Sequence, residues 1–187
     1  RTLAFAYPPR ADFFRSELEA FLILTNEEGI DPRTPLGSYA GAMGVPQFIA
    51  SSYRAYAVDF NGNGRRDLFS EPADAIGSVG NYFARHHWRA GAPIAQPAQI
   101  EGRVDEGLLG GDLKPRHVVA DLTQQGVRTQ RPLAADEPAR LLALETRNGP
   151  EYWLTLNNFY VITRYNHSPL YAMAVYQLAQ AIKAKRR

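Results

Sequence analysis

Between Asp59 and Asp67 the chain reads Asp-Phe-Asn-Gly-Asn-Gly-Arg-Arg-Asp, with oxygen-bearing side chains at its first, third, fifth and ninth places and a glycine at the sixth. This is the spacing of an EF-hand calcium loop. A hard cation takes about six to eight oxygens at roughly 2.3–2.6 Å, and alternate residues of a tight turn aim theirs inward, with Gly64 permitting the bend and Arg65 offering its main-chain carbonyl. Ser70 stands where an EF-hand carries its bidentate glutamate, so a later carboxylate has to close the site, and Asp74 in the first turn of the following helix is placed to do so. The candidate metal ligands are therefore Asp59, Asn61, Asn63, Arg65, Asp67 and Asp74, a set with few charges and hence modest affinity. Asn-Gly pairs also build ordinary turns, so a plain loop is the alternative. A second stretch, Gly41-Ala42-Met43-Gly44-Val45-Pro46-Gln47-Phe48, combines small residues with one amide. Glycine admits a close backbone or ligand, and Gln47 brings two donors and an acceptor, a chemistry suited to a neutral, hydroxyl-rich ligand. The same pattern serves as a glycine-lined turn packed on a helix. His86-His87 is a weak metal pair, because neighbours on a helix point about 100° apart and no third ligand follows.

Helices must flank these stretches. Tyr7-Pro8-Pro9 opens one whose Phe14, Leu18, Phe21 and Leu22 fall on a single face and which Gly29 ends; its glutamates form the solvated side. Pro46, suited to a first helical position, starts another that runs to Ala57 with Phe48, Tyr53 and Tyr56 as anchors. A third spans Pro72 to His87 and buries Ile76, Val79, Gly80 and Phe83, with Tyr82 beside them. From Trp88 to about Leu156 prolines and glycines break the pattern into short runs, the texture of an insertion. Within it, Pro115 to Gln125 is a short helix with Val118, Val119 and Leu122 inward and Gly126 as its stop, while Leu141 to Arg147, Asn148-Gly149 and Tyr152 to Leu154 form a hairpin. Phe159 to Asn166 is a strand by propensity and equally a short buried helix. His167-Ser168-Pro169 caps a last helix that returns Tyr171, Val175, Leu178 and Ile182 to the core.

With 187 residues, 45% of them apolar, the chain can bury a sizeable core. A net charge of +2 gives no footing for nucleic acid, and the basic end Lys183 to Arg187 offsets a helix dipole. Without cysteine there is no disulfide and no thiolate ligand. No apolar run reaches the roughly 20 residues of a membrane span.

Gly41-Ala42-Met43-Gly44 with Gln47-Phe48, the Asp59 loop, Asp74-Ala75-Ile76-Gly77-Ser78-Val79 and Thr163-Arg164-Tyr165-Asn166-His167-Ser168 occur in that order, and together they resemble the lytic murein transglycosylase B family of bacteria. The resemblance implies a mainly α, overall α+β fold: a lysozyme-like helical core over residues 1–87 with a calcium loop at 59–74, an inserted subdomain over 88–156, and a closing segment and helix over 157–187. It implies cleavage of the MurNAc–GlcNAc β-1,4 bond of peptidoglycan with a 1,6-anhydromuramic product, a structural Ca2+, no organic cofactor, and a periplasmic location with possible attachment to the outer membrane through a segment before Arg1. Carried over position by position, the glycan cleft falls on Ser38, Met43, Gln47, Tyr82, Tyr165, Asn166 and Tyr171. Arg10 matches one of two basic residues facing the peptide-bearing sugar, and the other position holds Pro9. The family's catalytic glutamate precedes the stretch resembling Thr2 to Pro8, so it is expected upstream of Arg1; Glu145 carries a similar motif but lies in the insertion. A lysozyme-type hydrolase and a non-catalytic, calcium-stabilised glycan-binding fragment are the alternatives.

Overall fold

The computed structural model describes residues 2–103 and 105–186, in two compact units, residues 1–85 and 86–187. The first unit is helical: α1 (Thr2–Ala6), a 3-10 turn at Pro8–Arg10, α2 (Ala11–Glu27), α3 (Ala50–Tyr56) and α4 (Pro72–Arg85). Helix α2 starts just after the two prolines and stops at Gly29, whose φ of +65° reverses the chain so that the Ile30 amide donates to the Thr25 carbonyl at 2.8 Å. Its buried positions are Ala20, Leu24 and Thr25, while Leu22 is 53% exposed, so the inward stripe lies a step round from the expected Phe14–Leu22 face. Arg54 on α3 clasps Glu27 on α2 through two hydrogen bonds of 3.0 and 2.8 Å.

Helix α3 begins at Ala50 and not at Pro46. Met43 and Phe48 exchange backbone hydrogen bonds of 2.8 and 3.1 Å, which holds residues 44–47 in a turn and keeps them out of the helix. Helix α4 also differs from its periodicity. Asp74, Ala75, Ser78 and Tyr82 are buried, whereas Ile76 is 73% exposed. The cause is the preceding loop, whose amides need acceptors: Ser78 Oγ accepts from the Val58 amide at 2.9 Å and Asp74 from three others, so the helix turns its polar residues inward.

The second unit holds an antiparallel sheet in the order β2-β4-β5-β1-β3, from β1 (Ala95–Ile100), β2 (His117–Val118), β3 (Val127–Thr129), β4 (Pro138–Thr146) and β5 (Gly149–Leu156). The expected hairpin is β4–β5, with Arg147-Asn148 as its tip and Gly149 at φ +101° already paired with Thr146. Helix α5 (Val119–Gln124) is shorter than expected because His117 and Val118 join the sheet, and Leu122, Leu141, Leu154 and Leu156 form the core beneath it. Phe159 to Tyr165 belongs to helix α6 (Asn157–Tyr165), buried through Phe159, Val161 and Ile162. Ser168 caps α7 (Pro169–Lys185), its Oγ accepting from the Tyr171 amide at 3.2 Å. Helix α7 buries Ala172 and Met173, while Leu178 and Ile182 are 62% and 51% exposed, against the expectation that they return to the core. The fold class is α+β and mainly helical.

Candidate functional site

The turn at residues 43–48 is shaped by its glycines. Gly44 sits at φ +66°, and a Cβ there would lie 2.5 Å from the Leu68 carbonyl oxygen. Gly37 is equally confined, 2.7 Å from the Ala42 oxygen on the same construction. At the corner stands Gln47, exposed and at φ 55°, a left-handed conformation uncommon for a residue with a side chain. Its main-chain and side-chain nitrogens both donate to the Gly44 carbonyl, at 3.2 and 2.8 Å. Strain of this kind persists where the surroundings over-determine it, and it clusters at ligand sites.

Beside the turn, α1, α2 and the 35–43 loop enclose a concavity of about 380 Å³ bordered by Phe14, Glu17, Ser38, Tyr39 and Met43. Ser38 is exposed and its Oγ accepts from the Ala42 amide at 3.1 Å; Met43 is 4% exposed and forms the floor. Tyr82 is 7% exposed, with ring centroids 5.8 Å from Phe48 and 4.8 Å from Tyr56, so it supports the turn from within the aromatic core. Arg10 lies over the Phe13 ring at 4.4 Å on the surface. Tyr165, Asn166 and Tyr171 belong to the second unit, where they bracket the α6–α7 junction. Asn166 Oδ1 accepts from the Ser168 amide at 3.1 Å and Tyr171 opens α7 behind its cap. Glu145 stands exposed near the end of β4 in the hairpin.

The Asp59 loop is curled by its own side chains. Asp59 accepts from the amides of Gly62, Asn63 and Gly64 at 2.8, 3.1 and 2.7 Å, while Asn61 and Asn63 each accept from the amide two residues on. Asp74, fully buried, reaches in from α4: Oδ1 accepts from Phe60 at 2.9 Å and Oδ2 from Asp67 at 2.9 Å. Asp67 faces the next turn instead, accepting from the Phe69 and Ser70 amides and the Ser70 hydroxyl. Burial pushes its carboxyl up, but these hydrogen bonds outweigh it and hold the group below the ordinary carboxylate value.

Among the described residues no three of His, Cys, Asp and Glu gather into a metal cluster. The donor set is nonetheless all oxygen, with Asp59 and Asp74 holding the same loop from two sides, and this chemistry fits a hard divalent cation.

Three participants lie outside the expected site residues, Glu17 among them as one of the glutamates expected on the solvated side of α2. Glu17 borders the concavity, and its Oε2 accepts from the Ser51 amide at 3.1 Å at the start of α3. Glu71 receives Asn61 Nδ2 at 3.2 Å, adding a carboxylate near the loop. Leu68, fully buried, joins loop and turn through its carbonyl, which accepts from the Val45 amide at 2.8 Å. Only Glu71 had a signal, one place beyond the twelfth loop position; no local pattern marks the other two.

Residues 1–180 match the family described as the transglycosylase SLT domain. The membrane-bound lytic murein transglycosylase B of Escherichia coli (strain K12) is 48% identical over 185 residues, covering 99% of this chain and 50% of that protein. The chain thus spans about half the length of the curated relative it matches. Among solved structures, lytic transglycosylase SltB1 from Pseudomonas aeruginosa superposes with a TM-score of 0.93 at 49% identity, covering 100% of this chain and 61% of that one. Escherichia coli lytic transglycosylase Slt35 in complex with calcium gives 0.89 at 47% identity, covering 99% and 58%. The chain belongs to the transglycosylase SLT domain family.

Proposed function

We propose that this chain is the glycan-handling part of a bacterial peptidoglycan lytic transglycosylase that cleaves the MurNAc–GlcNAc β-1,4 bond and leaves a 1,6-anhydromuramic end. The observation that carries the reading is the strained, outward Gln47 corner beside a concavity bordered by Ser38 and Met43. A fixed amide and a hydroxyl suit sugar hydroxyl and N-acetyl groups. Within the second unit, taken by itself, Tyr165, Asn166 and Tyr171 at the α6–α7 junction carry groups of the same kind. Pseudomonas aeruginosa SltB3, 34% identical over 97% of this chain, binds NAG-anhNAM-pentapeptide, which supports the anhydro product.

In this mechanism one glutamate protonates the glycosidic oxygen, then acts as base while the muramic acid's own 6-hydroxyl attacks the anomeric carbon. No water enters the product, unlike the ordinary two-carboxylate scheme. In this reading that glutamate lies before Thr2, where the resemblance to the family puts it. Glu17 is held by the Ser51 amide and so serves the scaffold in this reading. A glycan-binding role without cleavage is therefore the second reading for residues 1–187 taken alone.

The Asp59 loop with Asp74 would hold a structural Ca2+, supported by the oxygen donor set and by calcium in the Slt35 relative. The place of action is the bacterial envelope, in the periplasm; among the described residues no helix is long and apolar enough to cross a membrane.

Mass spectrometry of peptidoglycan digested by the protein that carries that glutamate tests the reaction: anhydro ends support it, and reducing ends heavier by one water identify a hydrolase. Sedimentation with insoluble peptidoglycan tests the site. Gln47→Ala should lower retention, and unchanged retention removes Gln47 from the cleft.

A further inference from the structure

The Asp59 loop and the Gly44–Gln47 turn meet at one residue, Leu68. Asp74 Oδ2 accepts from the Asp67 amide at 2.9 Å, which fixes the Arg66–Asp67 peptide, one residue ahead of Leu68. The Leu68 carbonyl accepts from the Val45 amide at 2.8 Å, and its amide donates to the Tyr53 hydroxyl at 3.4 Å. That hydroxyl in turn donates to the Arg66 carbonyl. Leu68 and Tyr53 are 0% and 1% exposed, so these bonds lie away from water, and burial pushes the Tyr53 hydroxyl's pKa up. On the other side of Val45, the Gly44 carbonyl takes both nitrogens of Gln47. Gly44 leaves no slack, since a Cβ would meet the Leu68 carbonyl carbon at 2.9 Å as well as its oxygen at 2.5 Å. An unbroken chain of hydrogen bonds and contacts thus runs from a carboxylate of the candidate cation loop to the amide of the candidate glycan site.

We propose that Leu68 is a positioning residue that couples the two sites, so that a divalent cation in the Asp59–Asp74 loop and a glycan at the Gln47 turn each tighten the binding of the other. This rests on the function proposed above. A cation in the loop orders residues 65–68, and a glycan at the turn orders 44–47. Because the Leu68–Val45 bond belongs to both segments, the ordering cost is met once when both ligands are present. Linkage makes the effect reciprocal: the factor by which the glycan lowers the Kd of calcium equals the factor by which calcium lowers that of the glycan.

The test is calorimetric titration of Ca2+ into the chain alone and saturated with a GlcNAc–MurNAc tetrasaccharide, then the reverse. The expected result is at least a roughly fivefold tightening in each direction, the lower end of ordinary coupling. Ca2+ alone should also move the Val45 and Gln47 amide resonances in an NMR titration. Gly44→Ala should bring the factor close to one while Ca2+ still binds to the variant without glycan. Tyr53→Phe keeps the ring and loses the hydroxyl between Arg66 and Leu68, and should reduce the factor even if the Gly44 variant does not fold. Wild type that binds both ligands with unchanged affinities, or a folded Tyr53→Phe with the full factor, overturns the coupling alone. Wild type that binds only one of the two overturns the coupling together with the function beneath it.

Discussion

Gln47 offers the sharpest separation of strain from ligand binding, because two substitutions remove the same amide and differ only in backbone preference. With φ at 55°, a residue bearing a Cβ is held in a conformation that costs about 1–2 kcal/mol relative to the right-handed one. The side chain returns part of this through its 2.8 Å hydrogen bond to the Gly44 carbonyl. Such a bond is worth about 0.5–1.5 kcal/mol. Gln47→Ala loses the bond and keeps the strain, and should destabilise by about 1 kcal/mol. Gln47→Gly loses both, and should exceed the alanine variant by about 1 kcal/mol even after the greater freedom of glycine in the unfolded chain. Urea unfolding measures the stability difference, and sedimentation with peptidoglycan measures retention. Both variants should be retained equally poorly. An alanine variant as stable as the glycine variant would show that the left-handed corner does not exist in solution, and a glycine variant retained like wild type would show that the amide is not used.

Asp74→Ala strips acceptors from the Phe60, Asn61 and Asp67 amides around a fully buried carboxylate, and should cost on the order of 3 kcal/mol in denaturant titration. Protein saturated with Ca2+ at about 100 times its Kd should gain about 2.7 kcal/mol, so a chelator lowers Tm; no shift in protein shown to have carried the ion removes the metal from the loop. Asp112 is held at about 2 from an ordinary 3.8, chiefly by the hydrogen bonds of the Arg116 guanidinium. Its folded value lies below the unfolded one, so the pair's stabilisation is complete above the ordinary value and is lost as pH falls through the folded one. An NMR titration should find that low midpoint and find it restored toward 3.8 in Arg116→Gln. On α4, Ile76→Lys should change stability by no more than about 0.5 kcal/mol, whereas Ser78→Ala should cost about 1 kcal/mol or more, the reverse of what hydrophobic periodicity predicts.

That reversal marks where the sequence was legible and where it was not. Elements announced by local chemistry stand where the residues put them: α2 behind Pro8-Pro9, the β4–β5 hairpin, α7 behind its serine cap. Helix faces were read less well, because periodicity assumes that an inward face is apolar. Helix α4 breaks the assumption for a reason visible only in three dimensions. The loop at 58–67 carries so many unpaired amides that burying Asp74 and Ser78 is better than burying Ile76. The same competition decided Pro46. Its suitability for a first helical position is local, whereas the Met43–Phe48 bridge that excludes it from α3 depends on where the chain returns.

The candidate site was legible as a list and illegible as a mechanism of support. Gln47 and Asp59 could be named from residue type and spacing, since an amide among glycines and alternating oxygens are chemical statements in themselves. Leu68 could not, because what it contributes is a backbone carbonyl, which every residue possesses. What distinguishes it is the company on either side: an aspartate that holds the amide of Asp67 just before it, and a glycine whose missing Cβ leaves room for the carbonyl to reach Val45. A leucine with 0% exposure reads as ordinary core, and Leu68→Ala would leave its main chain in place. The side-chain substitutions that disturb the junction are therefore at its neighbours, Gly44 and Tyr53, and the coupling has to be sought there.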